Sequence, residues 1–141
     1  HCPFVIHINE ALVALANEVQ TKGISVIAIS SNDAKAYPQD GPDAMKSHAK
    51  KLNYPFPYLY DETQLVAKAY DAACTPDFYL FDANLKLTYR GQLADSRPGN
   101  GLSIDGNDLR HAIQCLIEKN TNTRHQKPSI GCNIKWKNNS I

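Results

Sequence analysis

The strongest constraint on the fold is a repeated switch between helical and strand periodicity. Residues 3–21 carry Val5, Ile8, Leu12, Leu15 and Val19 at steps of three and four, with Glu10, Asn17 and Glu18 between them, the pattern of an amphipathic helix. Pro3 suits a first helical turn, where its missing N–H is no loss, and Lys22-Gly23 ends the pattern. Ile24-Ser25-Val26-Ile27-Ala28-Ile29-Ser30 follows, a short β-branched run suited to a buried parallel strand. After a polar loop over 31–41, Pro42 opens a second helix through about Leu52, and Phe56 to Tyr60 predicts a short strand beyond the Tyr54-Pro55 break. Asp61 is placed to cap a helix over 62–72, with Gln64 at the capping-box position and Leu65, Val66, Ala69 and Tyr70 as its apolar stripe. Phe78 to Phe81 and Leu85 to Arg90, joined by Asp82-Ala83-Asn84, predict a hairpin. A last helix over about 106–119 carries Leu109, Ala112, Ile113, Leu116 and Ile117 on one side.

Helices alternating with strands and closing on a hairpin predict a layered α/β domain, with helices on both faces of a mixed sheet. The domain is expected to span 1–119, with a polar tail over 120–141 that carries Ile130, Ile134 and Trp136 and packs back on it. Because the chain opens directly on a helix and without Met, a first strand is expected upstream of residue 1. The 141 residues suit one domain, and 43% hydrophobic with 21% charged residues suits a packed core. A net charge of +1 gives no electrostatic case for nucleic acid or an anionic membrane as partner. With no apolar run near the ~20 residues of a membrane helix and no signal-peptide pattern, the cytoplasm is the expected location.

Four widely spaced cysteines, Cys2, Cys74, Cys115 and Cys132, do not demand a disulfide-stapled scaffold, so redox chemistry or a reduced protein is expected. Cys2 stands at a helix start, where unpaired N–H groups and the positive end of the dipole favour the reactive thiolate. A protonated His1 would add to this. A buried, inert cysteine is the competing reading. Thr75-Pro76 places a proline directly before an apolar strand, where its missing donor is tolerated, in a turn that can be cis. An ordinary loop proline is the blander account. His7, His48, His111 and His125 read as exposed helix or tail residues, Cys115 as structural, and Asn138-Asn139-Ser140 as a common chance match to a glycosylation acceptor.

Taken in order, Cys2-Pro3, the Ile24–Ser30 run, Asp61, Ala69-Tyr70-Asp71-Ala72, Thr75-Pro76-Asp77-Phe78-Tyr79-Leu80-Phe81-Asp82 and Lys86-Leu87-Thr88-Tyr89-Arg90-Gly91 resemble the thioredoxin-like redoxin superfamily, including its AhpC/TSA-type domains. The likeness is nearest to a bacterial thioredoxin-like or peroxiredoxin-like subgroup in which the helix start reads Cys-Asn-His-Cys-Pro-Phe-Val. That subgroup also has counterparts of Tyr54-Pro55-Phe56-Pro57-Tyr58-Leu59, Asp95-Ser96-Arg97-Pro98-Gly99-Asn100-Gly101 and the stretch from Lys127 to Trp136. The resemblance implies a three-layer α/β/α sandwich with a mixed central sheet and a C-terminal hairpin. It implies that Cys2 is the second cysteine of a CxxC pair, the one that resolves the mixed disulfide formed by a first cysteine expected before residue 1, beside Pro76 as the cis-proline, with Thr75 supplying backbone that can bind an extended substrate. On that fold Cys74 comes near Cys2, either as an alternative resolving thiol or as a small residue packed under the turn. Cys132 lies in a tail that could fold over the site, as a further redox partner or a packed cysteine. Arg97 could stabilise a thiolate or position a peroxide, or simply hold its loop.

The first function expected is a thiol–disulfide oxidoreductase acting on disulfide-containing proteins or small disulfides, with an external thiol as reductant. A peroxiredoxin-like thiol peroxidase needs the same cysteines and is the alternative. A copper-binding module using His1, Cys2 and a distant ligand ranks third, since no second CxxC or HxxxH is present, and a fold without chemistry comes last. No cofactor and no resident metal are expected.

Overall fold

The computed structural model describes residues 1–138. The chain divides into two compact units: His1, Asn9–Ala73 and the chain from Asn133 form one, and Cys2–Ile8 with Cys74–Cys132 the other. Helix α1 (Pro3–Gln20) contributes to both. Its end is sequence-encoded. Ile24 N–H reaches back to the Val19 carbonyl and Gly23 N–H to that of Gln20, and Gly23 adopts φ +83°, a Schellman stop that needs glycine.

In the first unit, β1 (Ala28–Ser30) pairs in parallel with β2 (Tyr58–Tyr60), Ile29 opposite Leu59. A 3-10 turn at Pro38–Asp40 leads into α2 (Pro42–Lys51), which packs on β2. Charge follows the α2 dipole, with Asp43 in the first turn and His48, Lys50 and Lys51 in the last. Leu15, Ala16, Val19, Met45, Phe56, Ala67 and Ile134 are buried. Two expectations need correction here. The strand covers only Ala28–Ser30, and Ile27 and Ile29 are exposed rather than buried. The following helix, α3, covers only Leu65–Ala69, with Gln64 at φ +62° before it. Its supposed apolar stripe faces outward, since Leu65, Val66 and Tyr70 are exposed while Ala67 is buried.

Polar side chains explain the shorter helix. Asp61 is buried, and its Oδ2 accepts from Ala67 N–H and Ser31 Oγ–H, both at 2.9 Å. It holds the helix from within the first turn instead of capping residue 62. Gln64, also buried, donates to the carbonyls of Ser31 and Lys135 and accepts from Lys137 N–H. Asn32 accepts from Lys135 N–H, and Asp33 N–H donates to the Lys135 carbonyl. The chain beyond Asn133 is thus tied down by side chains and buries Ile134, whereas Trp136 stays 43% exposed with the Lys68 ammonium over its ring. Asn139 and Ser140, the rest of the acceptor-like triplet, lie outside the described residues.

In the second unit, β4 (Phe78–Phe81) pairs antiparallel with β5 (Leu87–Gly91), with a bulge at Leu80/Phe81. The returning strand starts at Leu87 rather than Leu85. Asp82 Oδ1 accepts from the N–H groups of Asn84 and Lys86, which widens the turn and leaves Leu85 at φ +61° and fully outside. Helix α4 (Asn107–Ile117) packs Leu109, Ala112 and Ile113 on the hairpin side and contacts both its strands. Part of the polar tail is held by pairing. Gln92 N–H donates to the Lys127 carbonyl, Ser129 Oγ–H to that of Gly91, and β6 (Cys132–Asn133) pairs with β3 (Cys74–Thr75). The ladders are parallel and antiparallel in one chain, each of two strands. No helix among the described residues is long and apolar enough to cross a membrane.

Candidate functional site

The candidate site lies in the second unit, at the tip of α1. Cys2 stands directly before Pro3, and its carbonyl accepts the first helical bonds from Val5 and Ile6 N–H. The residue therefore stands at the N-terminal, positive end of the helix dipole. No acidic residue occupies the first turn to offset that field. Cys2 Sγ is 3.4 Å from the Thr75 carbonyl, and the Thr75-Pro76 peptide is cis. The Thr75 hydroxyl is buried and unpaired.

Cys2 is joined by a disulfide to Cys132, with Cα atoms 6.2 Å apart across 130 positions of sequence. Cys2 is 4% exposed and Cys132 is half-buried. The approach depends on Gly131, because a Cβ there would overlap the Thr75 carbonyl and come within 3.2 Å of Pro76 N. Cys74 is a free thiol whose sulfur approaches the Pro76 carbonyl at 3.7 Å. Burial, with the Asp77 charge beside it, raises its pKa, so it stays a thiol more firmly than an open cysteine does. Cys115 is also free, next to His111 at 3.5 Å.

Beside Pro76 lies a small cavity of about 20 Å³, walled by Phe4, Ile8, Phe78 and Leu93 and lined at its polar end by His7 and Arg97. Arg97 donates through Nη1 to the carbonyls of Ala94 and Ser96 and through Nη2 to Gln92 Oε1, while its Nε is buried without a partner. Gln92 in turn donates to Asp95 and Asp108, so the guanidinium is held by a buried amide rather than by a carboxylate. Ser96 gives its only proton to the Leu102 carbonyl, so His7 Nε2 must donate to Ser96 Oγ at 2.8 Å.

Of the residues singled out from sequence, Cys2, Thr75, Pro76 and Cys132 are brought together, with Cys74 adjoining Thr75 in β3. His1 is engaged elsewhere: its ammonium and ring Nδ1 bind the two oxygens of buried Asp40, and the ring stacks on Tyr37. Three histidines are not the exposed residues expected. His7 is half-buried against Ser96, His48 accepts from Asn9, with burial lowering its pKa, and His111 is half-buried beside Cys115. Gln92, Gly131 and Asp40 carried no sequence signal beyond their types. Among the described residues no group of three or more His, Cys, Asp or Glu gathers as a metal would need.

The model of the AhpC/TSA family matches residues 1–90. Two solved structures are similar over nearly the whole chain. An uncharacterized conserved protein from Geobacillus kaustophilus is 60% identical, with a TM-score of 0.97 over 99% of this chain and 74% of that one. A hypothetical protein from Sinorhizobium meliloti 1021 is 48% identical, with a TM-score of 0.95 over 98% of this chain and 75% of that one. No curated protein matches. These likenesses and the α/β elements together make the fold thioredoxin-like.

Proposed function

Because the chain belongs to the AhpC/TSA family, whose chemistry is that of thiol-based oxidoreductases and peroxidases, we propose that it is a thiol–disulfide oxidoreductase working through Cys2. The observation that carries this reading is the sulfur of Cys2 at a helix tip, against the Thr75 carbonyl and already in disulfide linkage with a second cysteine of the chain.

A cysteine in that position is both a good nucleophile and a good leaving group. Backbone N–H groups and the helix dipole stabilise its thiolate, and a thiol of lowered pKa departs faster in exchange. An external thiolate attacks Cys132 Sγ, the more accessible sulfur of the pair. The S–S bond breaks, its electron pair leaves on Cys2, and a mixed disulfide forms on Cys132. A second external thiolate releases Cys132, which takes a proton. Two reductant thiols become one disulfide and the protein gains two electrons. The Cys2 thiolate then attacks a substrate disulfide, and Cys132 closes on the mixed disulfide to release the product thiol. Partners on this reading are a disulfide-containing substrate and an external thiol reductant.

A peroxidase is the second reading. It is favoured by one observation, that Arg97, whose buried Nε has no partner, is among the residues lining the cavity beside Pro76. The two readings separate in one pair of assays on the whole chain. The oxidoreductase catalyses insulin reduction by a dithiol, loses that activity on Cys2→Ser, and leaves hydrogen peroxide untouched. Consumption of peroxide without insulin reduction would make the second reading the right one. Inactivity in both assays would remove both.

A further inference from the structure

We propose that His111 and Cys115, one turn apart on α4, form a bidentate site for an exchangeable divalent cation of the zinc class. The inference does not depend on which cysteine reacts at the tip of α1. Both side chains are half-buried, Cys115 is a free thiol, and its sulfur lies 3.5 Å from His111 Nε2. Residues four apart share one face of a helix, so α4 itself brings the two donors together. Their separation selects the geometry. Zinc bonds of about 2.3 Å to sulfur and about 2.0–2.1 Å to nitrogen, at a tetrahedral angle, set the donors about 3.6 Å apart. The right angle of a square plane would bring them to about 3.1 Å, and a linear ion would spread them to about 4.3 Å. The observed spacing is the tetrahedral one.

The surroundings suit a cation. Cys115 stands in the last turn of α4, at the negative end of the helix dipole, and no basic side chain occupies that turn. One proton lies between sulfur and Nε2, and the ion takes its place. The proton leaves to solvent, the sulfur binds as thiolate, and the ring binds through Nε2 as neutral imidazole with its remaining proton on Nδ1. No electron is transferred. Glu118 is the next acidic residue on this face, but its carboxylate accepts from Gln114 Nε2 at 2.7 Å and from Asn120 Nδ2 at 3.3 Å. Among the described residues no third ligand gathers with the pair. The chain therefore supplies two ligands, and two positions on the ion stay with water. Such an ion exchanges with solution, with a dissociation constant of roughly 1–100 µM, far weaker than a closed four-ligand site. While bound it shields Cys115 from alkylation and oxidation, because both need the thiolate electron pair that the ion occupies.

The test uses the whole chain with the Cys2–Cys132 disulfide closed, so that Cys74 and Cys115 are its free thiols. Iodoacetamide labelling is followed at each cysteine by peptide mapping while zinc chloride is raised through the micromolar range. Cys115 labelling should slow along a saturable curve, by about tenfold when zinc stands about ten times above its dissociation constant, and Cys74 labelling should not change. His111→Ala leaves a thiolate alone and should lose nearly all of that protection at the same zinc concentration. Cobalt(II) in place of zinc should give a thiolate-to-metal charge-transfer band together with the intense visible bands of a tetrahedral ion, and Cys115→Ser should abolish both. Where a variant fails to fold, the wild-type zinc titration and cobalt spectrum decide. Cys115 labelling that zinc does not slow, equal protection of Cys74 and Cys115, protection that His111→Ala keeps in full, or a six-coordinate cobalt spectrum without charge transfer would each overturn the site.

Discussion

The two units hold the C-terminal chain by opposite means. In the second unit the segment up to Cys132 is held by strand pairing and one covalent bond to Cys2. In the first, the segment from Asn133 is held by the side chains of Asn32 and Gln64 and the backbone of Asp33, with no covalent tie. One attachment answers to redox state and the other to side-chain hydrogen bonding. The contrast teaches why the chemistry belongs to the second unit. A tail that must move to expose a reacting sulfur needs a bond that an external reagent can open, whereas a buried hydrogen-bond network opens only with its surroundings.

The largest expected effect tests that contrast directly. A disulfide closing 130 positions of chain constrains the unfolded state, and loops of this length contribute about 3–5 kcal/mol. Urea unfolding of oxidised and reduced protein should show a midpoint lowered accordingly on reduction. Hydrogen exchange under native conditions should localise the change: the Gln92 amide, bonded to the Lys127 carbonyl, loses protection, and the Lys135 amide, bonded to Asn32, keeps it. Equal loss at both amides would mean that the two attachments act as one, and the comparison would fail.

The next effect belongs to the first unit. Burial by itself would raise the pKa of Asp61, but N–H donors from Ala67, Val66 and Gln64 and the Ser31 hydroxyl outweigh it, and the pKa is lowered. A lowered carboxyl pKa stabilises the fold above the unfolded-state value and stops doing so as pH falls through the folded-state value. Asp61→Asn turns an amide N–H₂ toward donors and should cost about 1–3 kcal/mol at neutral pH. The gap between variant and wild type should close on acidification below about pH 4. A gap that persists at low pH would point to packing rather than charge.

How much of this was readable in the sequence follows the range of the interactions. Helices α1, α2 and α4 were legible, because Gly23, Pro42 and the apolar spacing of Leu109, Ala112 and Ile113 act within one or two turns. The neighbourhood of Cys2 and Thr75-Pro76 was legible only through the ordered set of motifs, since no local rule links residues more than seventy positions apart. The disulfide partner of Cys2 was legible only as one of two readings of Cys132, a further redox partner or a packed cysteine: four cysteines allow several pairings, and the close approach rests on a glycine whose role appears only in space. The outward turn of Ile27, Ile29 and Leu65 was misread for a related reason. Apolar character says that a side chain gains by burial, not that anything covers it. The late start of α3 escaped because Asp61 and Gln64 fit a capping box by spacing, yet Asp61 bonds Ala67 N–H and Ser31, and Gln64 bonds Ser31 and a tail seventy residues away.

Within the second unit the same contrast reappears between cysteines. Cys2 is placed to favour its thiolate once reduced, and Cys74 is not, because burial and Asp77 raise its pKa. Iodoacetamide at pH 7.5 applied to reduced protein should label Cys2 severalfold faster than Cys74, and the Cys74 rate should climb with pH into the range where an ordinary thiol has already ionised. Faster labelling of Cys74 would transfer the nucleophile's role to β3.

The smallest effect isolates the hairpin scaffold from the site it carries. Leu85 holds φ +61° with its side chain 82% exposed, so it bears left-handed backbone strain with no packing in return. Glycine adopts that conformation freely, although its unfolded chain is more mobile, so the two terms partly cancel. Leu85→Gly should therefore raise stability by about 0.5–1 kcal/mol, read as a higher urea midpoint at unchanged slope. Because the turn is held by Asp82 rather than by Leu85, the variant should leave the rate of Cys2–Cys132 reduction by external thiol unchanged. A changed rate would mean that hairpin strain reaches Thr75 through β4, and that the site is tuned by its scaffold as well as by its tail.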